Sequence, residues 1–110
     1  MERLFKIESV YHTTFQGKNK GDAVRPKVEV TLCYHETYFS SQNGPGIRRQ
    51  MVQVTLLDEA ANQCQLQPGM WIVGSVSMMA YPSRNPQEQG RMMMSCYLDR
   101  YVPITNWEQL

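Results

Sequence analysis

The amino-acid sequence predicts an all-β protein that forms one small closed barrel of five antiparallel strands. Apolar residues alternate with other residues in five separate runs, which is the period of strands with one buried face. Turn-forming Gly, Pro and Asn residues separate these runs, and no stretch has the length and period of a long helix. At 110 residues the chain is long enough for a single domain, residues 1–110, with one modest core.

The five strands are predicted from the alternation alone. They cover residues 4–14, 27–39, 47–57, 71–81 and 91–101. The residues predicted to face inward are Phe5, Ile7 and Tyr11 on the first strand, Val28, Val30, Leu32 and Tyr34 on the second, Val52, Val54 and Leu56 on the third, and Ile72, Val76 and Met78 on the fourth. Gly74 interrupts the last of these rows, which is typical of a bulge or a sharp barrel bend.

The connections between the strands complete the fold prediction. Residues 15–26 are rich in Gly and Lys and predict a mobile loop or the tip of a long hairpin, and residues 40–46 form a clear turn. Residues 58–66 predict about two helical turns or a tight loop, with Asp58 and Glu59 capping the free N–H groups at the helix start. Residues 82–90 predict another long hairpin. This strand order, with at most a short helix between strands 3 and 4, is that of an OB-fold.

Composition bounds the cellular setting. No apolar run approaches the ~18 residues that a membrane span needs, and the first ten residues lack the apolar centre of a signal peptide. The three cysteines form no CxxC motif, which argues against a disulfide scaffold and for a reducing compartment. We therefore expect a cytoplasmic protein that does not enter a membrane.

The distribution of charge is more informative than the net charge of +1. The segment 15–27 carries Lys18, Lys20, Arg25 and Lys27 against a single carboxylate, Asp22. A local positive field of this kind is what phosphate contacts require. The alternative is that these cations only keep an exposed loop soluble.

A binding site for single-stranded nucleic acid is predicted from cations and aromatic residues at loops and strand ends. Nine of the eleven cationic residues fall there: Lys18, Lys20, Arg25, Lys27, Arg48, Arg49, Arg84, Arg91 and Arg100. The aromatic candidates are Phe15, Tyr34, Tyr38, Phe39 and Tyr81. Cations hold phosphates, and unpaired bases stack on aromatic rings for ~1–3 kcal/mol each. The alternative for the tyrosines is half-buried packing, above all for Tyr34, which shares the parity of the core residues.

Catalysis has little support in the sequence. There are two histidines, no nucleophile elbow and no phosphate-cradling glycine loop. Cys33 and His35 share a strand face and could contact one metal ion, but two ligands make only a fragment of a metal site. We expect no catalytic residues, no metal and no cofactor, and a small metal enzyme is the weakest of the hypotheses.

The outward row of strand 4 is too apolar to face water on so small a domain. It consists of Trp71, Val73, Met79 and Tyr81, which predict the interface of a two-fold homodimer. The alternative is packing beneath the first strand. The methionines at 78–79 and 92–94 are expected to fill the core rather than to form a binding surface.

Several short motifs together resemble a known family. They are KIESV near the start, the Gly- and Lys-rich segment ending in Arg25-Pro26, Leu32-Cys33-Tyr34, VTLLDE at 54–59, Pro68-Gly69-Met70-Trp71, Leu98-Asp99-Arg100 and Val102-Pro103. In this order and spacing, across most of residues 5–104, the chain resembles the single-stranded-DNA-binding (helix-destabilising) proteins of filamentous bacteriophages.

The resemblance implies a five-stranded OB-type homodimer that coats phage DNA cooperatively, without strong sequence preference, in the host cytoplasm during replication and packaging. It implies that residues 15–28 form a DNA-binding wing, that the hairpin at 81–91 lies near the dimer axis, and that Arg100 matches a basic residue of the family. The chain departs from the family at Lys27, where an aromatic is expected nearby, and at Gln53, where a lysine is expected. A barrel that binds another protein, such as a replisome accessory module, is the alternative function.

Overall fold

A computed structural model of the protein describes residues 2–17, 21–83 and 85–104. The predicted site residues Lys18, Lys20 and Arg84 lie outside these ranges. The elements are β1 (Glu2–Gln16), β2 (Val24–Ser40), β3 (Gly44–Leu57), α1 (Asp58–Asn62), β4 (Trp71–Pro82), a single 3₁₀ turn (Pro86–Glu88) and β5 (Met92–Pro103). Within the described ranges, no helix combines the length and the apolar character that crossing a membrane demands.

The strands close into a barrel in the order β1-β2-β3-β5-β4, with β4 returning to β1. Four of the pairings are antiparallel. The closing pair, β3 with β5, is parallel and meets at Thr55 and Tyr97. This is the strand order of an OB-type barrel. The predicted all-β, five-stranded closed barrel with one short helix between strands 3 and 4 is therefore confirmed.

The core is built from the alternate positions that the sequence pattern indicates. Its fully buried side chains are Phe5, Ile7, Val28, Val30, Leu32, Val54 and Ile72. Leu56, Ala61, Leu66, Val76 and Leu98 complete the cluster with 3–6% of their surface exposed. Burial of each such side chain contributes roughly 1.5–3 kcal/mol, which drives closure of the sheet.

A bulge in β1 changes which of its residues face the core. Ile7 pairs with Leu32 and the next pair is Ser9 with Thr31, so Glu8 is the extra residue. One extra residue reverses the parity of everything that follows it in the strand. Val10 therefore packs against the core. The prediction that Tyr11 faces inward is wrong, since its side chain is 62% exposed.

Gly74 is a buried residue of β4. A Cβ atom added there would stand 3.0 Å from Leu98 Cδ1, so a larger residue would collide with the side chain that fills this part of the barrel. The register irregularity lies one pair further along, between Ser75 and Val76, and the extra residue is Asp99 on β5. The bulge predicted at Gly74 of β4 therefore lies on the partner strand β5.

β4 and β5 continue beyond the barrel as a two-stranded ribbon. β1 pairs with β4 only as far as Ser75, whereas β4 and β5 stay paired to Pro82 and Met92. Met78 has the parity of the core row, but it lies on this ribbon and is 62% exposed. The prediction that it faces the core is therefore wrong.

Hairpins that outrun the barrel give the molecule an extended form. The β2–β3 ladder runs to Ser40 and Gly44, so the predicted turn at 40–46 contracts to residues 41–43. The Cα radius of gyration is 17.2 Å, against about 13 Å for a compact chain of this length. The hairpins therefore form three arms, β1–β2, β2–β3 and β4–β5.

The helix α1 does not begin as the sequence suggests. Leu57 is its N-cap residue, and no side chain caps the first turn. Asp58 has a φ of 56°, a left-handed conformation that Asp tolerates better than most residues. The predicted capping role of Asp58 and Glu59 is wrong. The Asp58 carboxylate accepts from Arg25, and the Glu59 carboxylate accepts from Gln63.

Candidate nucleic-acid interface

The outer face of the β1–β2–β3 sheet carries five of the predicted site residues. We define this face as the side of these strands that points away from the core. Directly paired residues share a face, and the register pairs Phe15 with Arg25 and His35 with Arg49. The predicted residues on this outer face are Phe15, Arg25, Lys27, Phe39 and Arg49.

Arg25 is held between an aromatic ring and a carboxylate. Its Cζ atom lies 4.6 Å from the centroid of the Phe15 ring. Its Nε donates to Asp58 Oδ1 over 2.6 Å, and its Nη2 donates to Asp58 Oδ2. The hydrogen bond to Arg25 lowers the pKa of Asp58, and the same bond raises the pKa of Arg25. The fork and stack hold the guanidinium in one orientation on the outer face.

Arg49 is the centre of a second polar cluster on this face. Its Nε donates to the Cys33 sulfur over 2.8 Å, and its Nη2 forms an ion pair with the Glu8 carboxylate. Hydrogen bonds to Cys33 and Glu8 raise the pKa of Arg49. Because Glu8 is the bulge residue of β1, the bulge brings a carboxylate beside a cation of β3.

The Cys33 and His35 pair considered for metal binding lies on the same face. Cys33 is only 3% exposed and its sulfur is bonded to Arg49. No cluster of three His, Cys, Asp or Glu side chains with metal-binding geometry occurs in the part of the chain that the structure describes.

The tip of the β2–β3 arm carries an aromatic residue on each side. Phe39 lies on the outer face and is 78% exposed. Tyr38 lies on the reverse side, where its ring covers Gly46 and Arg48 Cζ stands 5.4 Å from the ring centroid. Arg48 also forms an ion pair with Glu36 at 3.5 Å. Tyr38 and Arg48 are therefore grouped with each other but separated from the outer face.

Tyr34 follows the core row, as its parity predicts. Its ring packs edge-on against Phe5, with 5.7 Å between the centroids. On its other side, Arg3 Cζ stands 4.8 Å from the ring centroid. The ring is partly buried against the core cluster, so only part of it is open to a ligand.

The remaining predicted residues lie on the opposite wall of the barrel, on β4, β5 and their arm. Arg100 pairs in register with Ser75 and has Glu2 Oε2 at 4.0 Å. Arg91 forms an ion pair with Glu88 at 3.0 Å. Tyr81 is 40% exposed, and its hydroxyl lies 3.3 Å from Ser95 Oγ.

All six predicted cations that the structure describes are already paired with carboxylates. The pairs are Arg25–Asp58, Lys27–Glu29, Arg48–Glu36, Arg49–Glu8, Arg91–Glu88 and Arg100–Glu2. Most of these side chains are well exposed, and exposed ion pairs contribute little to stability. The carboxylates therefore position the cations, and separating most of these pairs costs little stability.

The predicted dimer row divides into two parts. Trp71 stands at the barrel end of β4, opposite Lys6 of β1. The Lys6 Nζ lies 6.0 Å from the centroid of the Trp71 ring system. Met79 and Tyr81 stand on the ribbon, about 26–33 Å further along the strand, with Val73 near the barrel end. Val73, Met79 and Tyr81 are 39–58% exposed.

The ribbon exposes its methionines on both sides. Met78, Met79, Met92, Met93 and Met94 have exposures from 37% to 62%. The prediction that they fill the core is therefore wrong. The ribbon lies beyond the point where β1 ends its pairing with β4. Met78 still lines a cleft with Met51 and Val52 of β3.

Two cations outside the predicted set, Arg3 and Lys6, also lie against aromatic rings. Arg3 stacks on Tyr34 and Lys6 lies over Trp71. Neither has a carboxylate within 4.0 Å among the residues described. The alternation in strand 1 already predicts that Lys6 points outward. Only the strand register shows that Trp71 of β4 is its aromatic neighbour.

Comparison with known proteins adds no relative: no protein-family model matches the chain, and no curated protein does either.

Proposed function

We propose that this protein binds single-stranded DNA without catalysing a reaction, and that it coats the strand cooperatively and without strong sequence preference. The observation that carries the proposal is the outer face of β1–β2–β3. There Arg25 stacks on Phe15, Lys27 follows on the same strand, and Arg49 and Phe39 extend the row along the β2–β3 arm. The strand 2–3 face and its loops are where OB-folds bind oligonucleotides.

The combination of residues favours a single strand over a duplex. The exposed ring of Phe39 and the partly buried ring of Phe15 offer stacking surfaces for bases that are not already stacked in a helix. The neighbouring cations supply phosphate contacts that do not depend on base identity. A protein built in this way binds with affinity that depends strongly on salt and little on sequence.

The pre-formed ion pairs suit reversible coating. Each outer-face cation is oriented by a carboxylate, and phosphate replaces that carboxylate when DNA binds. Most of these pairs are exposed, so the exchange removes little stabilisation from the free protein. Release of counterions from the DNA then supplies much of the favourable free energy.

A homodimer is the proposed assembly, with the β4–β5 arm at its interface. Met79 and Tyr81 of the predicted row lie on this arm, together with the exposed methionines. Apolar side chains on a protruding ribbon become buried when two copies meet about a two-fold axis. Dimers that hold two strand segments can assemble further along the DNA as a filament.

The biological setting is proposed from the motif resemblance alone. The family resembled acts in the cytoplasm of the bacterial host, where it sequesters phage DNA for replication and packaging. We place the protein in the same role, as a factor encoded by a phage or prophage.

One observation favours a second candidate function. The Met-rich ribbon is the kind of adaptable apolar surface that protein partners use. In this alternative the barrel is an interaction module, for example a replisome accessory factor, and its outer-face cations only maintain solubility.

Titration of a labelled oligo-dT at two salt concentrations separates the two functions. DNA binding requires that log K fall with log[salt] by about 0.7 for each phosphate contacted. Arg25→Gln should flatten this slope, and Arg25→Lys, which keeps the charge, should preserve it. The accessory-module alternative gives no binding tighter than the micromolar range even at low salt. An unchanged slope in Arg25→Gln would remove the β1–β2 arm from the interface.

A further inference from the structure

β1 leaves β2 near the start of the chain and opens a cleft between them. The β1–β2 register ends at Lys6 and Cys33, and from there toward its start β1 pairs only with β4. The cleft has a volume of about 260 Å³ and is lined by Arg3, Leu4, Tyr34, His35 and Trp71. It lies outside the set of residues on which the proposed DNA-binding face was built.

The chemistry of this cleft combines aromatic rings with available positive charge. Tyr34 and Trp71 supply the rings, and Arg3, which also lines the cleft, has its Cζ 4.8 Å from the centroid of the Tyr34 ring. Lys6 is not a lining residue, but its Nζ lies 6.0 Å from the centroid of the Trp71 ring system. In the described residues these two cations, unlike the six paired ones, have no carboxylate within 4.0 Å. An anion can therefore reach their charge without first displacing a carboxylate.

The backbone beside the cleft also offers hydrogen-bonding groups. From Tyr34 to Ser40, β2 pairs with β3 on one edge only, as far as the described residues show. The other edge presents N–H and C=O groups toward the side of the cleft. His35, on the same segment, adds an imidazole to the lining.

From this arrangement we infer a nucleotide-binding subsite, in which one unpaired base stacks on Trp71, Lys6 holds its phosphate, and Arg3, beside Tyr34, holds the neighbouring phosphate. The inference rests on the proposed single-stranded-DNA binding and extends it. The cleft volume lies just below the ~300 Å³ at which small-molecule pockets begin, which suits one base rather than a folded ligand. An anion without a ring would leave the aromatic lining unused.

The subsite is continuous with the outer face of β1–β2–β3. Lys6 lies opposite Cys33 in the sheet, and the Cys33 sulfur accepts the hydrogen bond from Arg49. A strand that follows Arg25, Lys27 and Arg49 along β2 and β3 therefore reaches Lys6 and Trp71 next. The subsite therefore extends the proposed DNA path from the outer face to the start of β4.

The fluorescence of Trp71 reports whether the subsite is occupied, provided that Trp71 is the sole tryptophan. The chain has two tryptophans, so Trp107→Phe provides the background. Labelled oligo-dT of about 16 nucleotides, the upper range for one OB-fold, is titrated while label anisotropy and Trp71 emission are recorded together. We expect saturable quenching of Trp71 with the same midpoint as the anisotropy change, because a stacked base quenches indole emission. Inorganic polyphosphate, an anion without bases, should quench Trp71 far less.

Variants assign the roles within the subsite. Trp71→Leu should weaken binding roughly 5- to 150-fold, the range expected for loss of one base stack, and Trp71→Phe should recover most of that loss. Arg3→Gln and Lys6→Gln should each lower the salt slope by about 0.7, and Lys6→Arg should not. Thermal melting by circular dichroism verifies that each variant is folded.

These experiments can reject the subsite while the proposed DNA binding stands, or reject both. If the oligonucleotide binds but Trp71 emission is constant and Trp71→Leu binds within twofold of the parent, the subsite is overturned and the DNA-binding function stands. Equal quenching by polyphosphate would overturn base stacking. Absence of any anisotropy change at low salt would overturn both.

Discussion

The guanidinium carbon of Arg25 lies 4.6 Å from the centroid of the Phe15 ring, and the two residues face each other directly across the β1–β2 ladder. Asp58, 33 residues further along the chain, grips the same guanidinium from the start of α1. A cation, a stacking surface and a displaceable carboxylate thus meet at the base of one arm.

Asp58→Asn should increase affinity for single-stranded DNA. The substitution removes the carboxylate that competes with phosphate for Arg25, while Asn tolerates the positive φ of this position. The expected gain is about 1.4- to 5-fold, the range that corresponds to loss of one exposed ion pair. Anisotropy with oligo-dT at constant salt measures it. An affinity below that of the parent would show that Asp58 orients Arg25 for the phosphate rather than competing with it.

The Arg25–Asp58 pair should make stability depend on pH only in acid. Arg25 lowers the pKa of Asp58 below its ordinary value of 3.8, so the pair stabilises the fold at every pH above that value. The contribution is lost as the pH falls through the lowered pKa of the folded state. Urea unfolding of the parent and of Asp58→Asn should give different free energies at pH 7, and the difference should shrink as the pH falls through the lowered pKa of Asp58. A difference that persists undiminished in acid would contradict this assignment.

Gly74→Ala should destabilise the barrel by about 1–3 kcal/mol, the usual cost of overpacking a core. Its new Cβ would stand 3.0 Å from Leu98 Cδ1 and 3.5 Å from Ile72 Cδ1. Denaturant unfolding should show a lower midpoint with an unchanged m-value. The double variant with Leu98→Val should recover part of the loss, because it shortens the side chain that is crowded.

Gly46→Ala should displace the Tyr38 ring with little loss of stability. The added Cβ would lie 2.6 Å from Tyr38 Cζ, and Tyr38 is at the exposed end of an arm, where the ring can swing away. In NMR spectra the Gly46 Hα protons should show an upfield ring-current shift in the parent. The Tyr38 ring resonances should move in the variant. Unchanged Tyr38 resonances would contradict the packing of this ring on Gly46.

Polar substitutions on the β4–β5 ribbon should dissociate the proposed dimer. Met79→Gln combined with Met93→Gln alters one side of the ribbon and leaves the barrel core intact, since both residues lie beyond the barrel. Sedimentation equilibrium should show a dimer for the parent and a monomer for the variant. The matched control is Met51→Gln, a residue of β3 with comparable exposure of 54%, which should stay dimeric.

The parity of short runs predicted most of the core correctly. Val28, Val30 and Leu32 are buried as expected, and so are Val54 and Leu56, because alternation in a strand is a local property of the backbone. The errors arose where a nonlocal feature intervened. Tyr11 was misassigned because the bulge at Glu8 inverts parity, and a bulge is defined by the partner strand as much as by its own.

The sequence indicates which residues could form the candidate site, but not which of them lie together on one face. The cations and aromatics at loops and strand ends were evident, yet only the register shows that Phe15 and Arg25 share a face with Arg49. It also shows that Arg100 stands on another wall of the barrel. Arg3 and Lys6 were passed over because they lie within a strand, where their aromatic partners belong to β2 and β4.

The sequence by itself determined the class of this protein: five strands, a short helix between the third and fourth, and an apolar row on each strand. These follow from side-chain period and turn chemistry, which act over a few residues. Only the tertiary structure decided that β4 and β5 outrun the barrel and that every described cation of the predicted set meets a carboxylate. It also decided that a cleft opens where β1 leaves β2. Such features depend on backbone hydrogen bonds between strands far apart in the chain, and local sequence does not encode that register.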